Sequence, residues 1–112
     1  MLDARRMEVY SAIYDRALQA VRPVQADIVE PGCYDPWLNE RPVYFFGNGA
    51  EKCREALSSH PHAHFLSDIH PLARMMAPLA EKAMRQERWE DVAYFEPFYL
   101  KEFVAGKPKN LL

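Results

Sequence analysis

No long hydrophobic stretch runs through this chain. Its longest apolar run, Val43 to Phe46, falls far short of the roughly 20 residues that cross a bilayer, and no charged stretch followed by an apolar segment marks a leader at its amino terminus. A cytoplasmic location is expected. An excess of one charge is lacking too: 14 Lys and Arg stand against 16 Asp and Glu, for a net charge of -2. Interspersed signs leave no basic footprint for gripping a phosphate backbone, so direct nucleic-acid binding by this chain alone is not expected. Cysteine is scarce. Cys33 and Cys53 show neither a CxxC nor a zinc-ribbon spacing and read as reduced, partly buried thiols. HExxH, GxSxG, GxGxxG and the Lys-Ser/Thr of a phosphate loop are all missing, which removes the usual sequence grounds for a metalloprotease, a serine hydrolase or a nucleotide-binding loop.

What is present favours one folded domain. The 112 residues are 49% hydrophobic and 27% charged, with six Phe, six Tyr and two Trp, and a domain of this length buries about 65% of its unfolded surface. Met1 to Ala4 is short and apolar, so the chain opens as if in the middle of a sheet. Arg5 and Arg6 separate it from Met7 to Tyr14, where Met7, Val9 and Ile13 alternate with Glu8, Tyr10, Ala12 and Tyr14. Period two predicts a strand with one buried face. A third extended run covers Ala20 to Val29, and Tyr34, Trp37 and Leu38 form either a short helix or a cover for the sheet edge.

Val43 to Phe46, bounded by Pro42 and by Gly47-Asn48-Gly49, predicts a central strand buried on both faces and parallel to a neighbour. Asn48 followed by Glu51 resembles a capping box and predicts a helix from Ala50 to about Ser58. His64 to Leu66 makes another short strand. Leu72, Met76, Leu79 and Ala83 then form an apolar stripe on a helix with Pro71 in its first turn and a kink at Pro78. Tyr94 to Val104 is aromatic and extended, and Lys107 to Asn110 is expected to fray. The order is a three-strand meander, then alternating strands and helices: a mixed α/β sheet covered by helices.

Two segments near opposite ends, Asp3-Ala4-Arg5-Arg6-Met7-Glu8-Val9-Tyr10 and Glu96-Pro97-Phe98-Tyr99-Leu100-Lys101, resemble the TsaB (YeaZ) family, long labelled glycoprotease-like. Phe46-Gly47-Asn48-Gly49-Ala50 and His70-Pro71 agree with its strand-turn-helix and helix-opening positions. The resemblance implies a ribonuclease H-like domain of the actin-like ATPase fold. Residues 1–112 would be the carboxy-terminal half of a two-half protein whose amino-terminal half is absent. It further implies a non-catalytic scaffold or activator in the bacterial complex that makes threonylcarbamoyladenosine beside the tRNA anticodon, with a TsaD-type catalytic subunit and a TsaE-type ATPase as partners and a homodimer as the assembly. The alternatives are a glycoprotease-like or actin-fold phosphotransferase fragment, or a free-standing α/β interaction module.

Individual residues carry little independent chemistry, and no catalytic, cofactor-binding or metal-binding residue is assigned. Gly47-Asn48-Gly49 at a helix start offers backbone N–H groups to a phosphate, but the expected reason for the glycines is a tight turn, with positive φ at Gly49. Whether that turn meets a nucleotide stays open. His60 and His64 have an HxxxH spacing, but Pro61 lies between them and neither a carboxylate trio nor a cysteine set stands nearby, so an exposed loop is expected. Asp3 and Glu8 are expected to pair with Arg5 and Arg6 rather than with each other. Met75, Met76, Leu79 and Met84 read as core filler, whereas some of Trp37, Trp89, Phe95, Phe98 and Tyr99 are expected to cover a second domain.

Overall fold

A computed structural model describes residues 1–101. Lys107 to Asn110 and the last residues of the Tyr94–Val104 run lie outside the described residues. Strands β1 (Leu2–Asp3), β2 (Glu8–Tyr14) and β3 (Ala20–Ile28) form an antiparallel meander in that order. Period two does what the sequence predicts, because Val9 and Ser11 are buried while Glu8 and Tyr10 face the other way. The ladder pairs Glu8 with Ile28 and Ser11 with Gln25, then shifts between Ser11 and Ile13 and again before Tyr14. Pro23, which has no N–H to give, falls in that irregular part of an edge strand, where proline is tolerated.

The short helix option is the one realised: α1 (Asp35–Leu38) starts with Pro36 in its first turn and buries Leu38. Strands β4 (Val43–Phe45) and β5 (Ala63–Phe65) pair in parallel, Val43 opposite Ala63 and Phe45 opposite Phe65. Between them run a 3-10 turn (Glu51–Cys53) and α2 (Arg54–Leu57), in place of the single helix expected from Ala50 to Ser58. The capping box does not form. Asn48 Oδ1 instead accepts the backbone N–H of Asp3 at 2.9 Å, and Glu51 holds Arg54 at 2.8 Å.

One apolar core joins the two sheets: Val9, Val29, Tyr34, Leu38, Phe45, Ala50, Cys53 and Leu57. Phe45 sits against Tyr34 and Phe65, with ring centroids 5.5 Å and 5.3 Å away. β4 is buried on one face only, contrary to the two-faced burial expected: Phe45 is 6% exposed, but its neighbours Tyr44 and Phe46 are 57% and 47% exposed. Nothing in residues 1–101 covers that second face, because the following helix does not lie on it.

That helix, α3 (Ala77–Arg85), follows a 3-10 turn (Ala73–Met76). Pro78 stands at its opening rather than kinking its middle, where a missing N–H breaks no bond. Pro71 precedes both elements. The core role expected for the methionines is not realised: Met75, Met76, Leu79 and Met84 are all exposed, as are Trp89, Phe95, Phe98 and Tyr99. The radius of gyration, 17.5 Å, exceeds the roughly 13 Å of a compact chain this long. The architecture is a small mixed α/β domain with an outlying carboxy-terminal third. Among the described residues no helix is long and apolar enough to cross a membrane.

Candidate functional site

The two segments that carry the family resemblance meet in space. Alternation along β2 turns Glu8 and Tyr10 away from the core, and Lys101 Nζ reaches Glu8 Oε2 at 2.6 Å. Leu2, Tyr10 and Val24 on that side, together with Phe98, Tyr99, Leu100 and Lys101, line a shallow recess of about 290 Å³. The bond to Glu8 raises the Lys101 pKa, so the lysine is charged throughout the physiological range. An amphipathic patch results, with exposed Phe98 and Tyr99 beside a fixed ion pair.

Asp3 and Glu8 do not converge, and neither takes an arginine as its ionic partner. Lys52 Nζ binds Asp3 Oδ1 at 2.5 Å and the Glu8 carbonyl oxygen at 2.7 Å, which holds the Asp3 carboxyl below its usual pKa. Arg5 and Arg6 have φ of 73° and 50°, and this left-handed turn carries them to the exposed hairpin tip. Asp3 Oδ1 also accepts the Arg5 backbone N–H. Both acids are ion-paired, with Lys52 and Lys101 rather than with Arg5 and Arg6.

The glycine turn is occupied by the chain itself. The Met1 ammonium donates to the Phe46 carbonyl at 2.7 Å, and the Gly49 N–H donates to the Met1 carbonyl at 3.2 Å. Positive φ belongs to Gly47, at 102°, and not to Gly49. Gly49 is needed for a different reason: a Cβ there would come within 2.8 Å of the Leu2 backbone.

A buried polar hub went unrecognised in the sequence. Arg22, 8% exposed, donates from Nη2 to Asp27 Oδ2 at 2.6 Å and from Nη1 to Asp27 Oδ1 at 3.1 Å. Asp27 also accepts the Ser11 hydroxyl at 2.5 Å and the Tyr34 hydroxyl at 2.7 Å. The guanidinium carbon lies 5.4 Å from the Trp37 ring and 5.7 Å from the Tyr34 ring, and a recess of about 390 Å³ lies beside Gln25, Cys33 and Trp37. Burial works to raise the Asp27 pKa, but the bonds from Arg22, Ser11 and Tyr34 outweigh it and hold the carboxyl low. Burial, with help from Asp27, pushes the Tyr34 hydroxyl well above its usual range. A carboxylate this weakly basic is a poor acceptor for a serine proton at neutral pH, so the arrangement suits a clamp better than a nucleophile. The available signal was the placement of Ser11, Gln25 and Asp27 on the same strand face as Val9.

The histidines split between two places. His60 Nε2 lies 3.1 Å from Asn39 Oδ1, and His62 Nδ1 lies 2.7 Å from the Leu38 carbonyl, while His64 stacks on Tyr44 at 5.1 Å. Among the described residues no group of three or more His, Cys, Asp or Glu is placed to hold a metal ion. No family model matches the chain, and neither a curated protein nor a solved structure matches it.

Proposed function

We propose that the chain is the second ribonuclease H-like half of a TsaB-type protein, a non-catalytic scaffold in the assembly that makes threonylcarbamoyladenosine beside the tRNA anticodon. The observation that supports this reading is the Glu8–Lys101 pair, since it joins the two segments on which the family resemblance rests. Segments that act together in recognition need a common surface, and these two share one although they lie at opposite ends of the chain. The order of a meander followed by β4, α2 and parallel β5 agrees with that expected of a ribonuclease H-like half, although the strands form a three-stranded and a two-stranded sheet in place of the one mixed sheet expected. On this reading the work of the chain is to complete a surface for a TsaD-type catalytic subunit, with a TsaE-type ATPase in the same cytoplasmic complex.

Reconstitution tests it. The chain is combined with a separately expressed TsaB-type first half, TsaD- and TsaE-type subunits, threonylcarbamoyl adenylate and unmodified tRNA, and the modified nucleoside is measured by mass spectrometry. Product is expected only when the chain is present, and the K101E variant is expected to lower its yield. Equal yield without the chain, or product from the chain and tRNA alone, would remove the scaffold reading.

A further inference from the structure

Among the described residues, the outer face of the β4–β5 sheet and the apolar side of α3 are two uncovered surfaces of matching character. Tyr44 of β4 and Phe46 just beyond it share one side, beside His64 of β5 and Leu66 just beyond that strand, and all four are exposed. Parallel strands are stable when both faces are covered, yet only the Phe45 side of this pair is. On α3, Met76, Leu79, Ala80, Ala83 and Met84 fall on one side by helical periodicity, with Glu81, Lys82 and Arg85 opposite. No residue of α3 is buried. The two alanines leave a shallow centre in the stripe, a shape that admits the bulky Tyr44 and Phe46 rings.

We propose that α3 of a second copy of the chain covers this face, each protomer lending its helix to the other's β4–β5 sheet in a two-fold exchange. The connection between β5 and α3 favours exchange over folding back. It holds Asp68 in the left-handed region at φ 60°, then Pro71 and an extended Leu72, so the chain leads α3 away from its own sheet, and an element directed away from its own domain is free to pack on a second copy. The size is sufficient. The nine-residue helix is about 14 Å long and about 10 Å wide, so each contact buries on the order of 500 Å², and two together reach the roughly 1,000 Å² of a specific interface. This dimer is independent of the scaffold reading, because it needs neither the Glu8–Lys101 patch nor any other subunit.

Cysteine pairing distinguishes the occupants. In a C33S background, chains carrying F46C and chains carrying L79C are mixed and oxidised. The expected result is a disulfide-linked heterodimer from the mixture, with at least tenfold less dimer from either variant alone. A second variant, L79E, is expected to shift sedimentation from dimer to monomer and to remove the dependence of the unfolding midpoint on protein concentration that a dimer confers. The proposal is overturned if a chain carrying both F46C and L79C forms only the disulfide within itself, which is folding back. It is equally overturned if the mixture stays uncrosslinked, or if Phe46 becomes protected only when a TsaB-type first half is added.

Discussion

Gly47 and Met1 occupy what is nearly the same space: a Cβ added to Gly47 would collide with the Met1 carbonyl oxygen, and Gly47 has φ of 102°. Both the conformation and the room are forbidden to a side chain. Gly47→Ala is therefore expected to destabilise the fold by about 2–4 kcal/mol. Gly49→Ala, which meets backbone at 2.8 Å without an unusual φ, is expected to cost about 1–3 kcal/mol. Urea denaturation followed by tyrosine and tryptophan fluorescence measures both. A midpoint unmoved in Gly47→Ala would show that β1 does not lie in this turn.

The Arg22–Asp27 clamp sets an acid limit. Because the folded Asp27 carboxyl is held below its ordinary value of 3.8, the unfolded chain binds the extra proton, and stability is fully present above that value and lost as pH falls through the folded one. Asp27→Asn is expected to lose about 1–3 kcal/mol at pH 7 and to show a shallower decline in midpoint below pH 4. Thermal melts from pH 2 to 7 give the comparison, and parallel curves for the two proteins would exclude Asp27 from the acid transition.

Removal of the Tyr34 hydroxyl separates the hub from the core. Tyr34→Phe keeps the ring against Phe45 but takes a donor from Asp27, so a loss of about 1 kcal/mol is expected. The ring itself matters more: Tyr34→Ala is expected to cost about 3–5 kcal/mol. Equal losses in the two variants would mean that the ring contributes nothing.

Reversing the Glu8–Lys101 pair tests whether it holds the carboxy-terminal segment. Glu8→Lys is expected to speed amide exchange at Phe98 to Lys101 by less than about fivefold, as befits an exposed pair, and Glu8→Lys combined with Lys101→Glu is expected to restore it. Failure of the double variant to recover would point to packing around Leu2, Tyr10 and Val24 instead.

The strands were legible because their signal is local. Val9 and Ser11 alternate with Glu8 and Tyr10, and Val43 to Phe45 is a short apolar run between breakers; neither needs knowledge of the rest of the chain. The helix starting near Ala50 was less so, since the use made of the Asn48 side chain depended on Asp3, far away in sequence. Periodicity identified the apolar stripe of α3 but not what lies against it, and the methionines taken for core filler are exposed. The clamp was hidden for a related reason. Arg22 is buried only because the ladder shifts near Ile13, and such an irregularity leaves little trace in residue type.

The tie between Met1–Asp3 and Phe46–Asn48 imposes an order on folding. Its hydrogen bonds span 45 residues, so closing that loop costs more entropy than forming the β2–β3 hairpin or the β4–α2–β5 unit. β1 offers only Leu2 and Asp3 to the β2 ladder, too little to hold it in place alone. Its second support exists only once the Gly47 turn has been made. The short first strand therefore locks in late, and until it does β2 presents an open edge to any other extended chain.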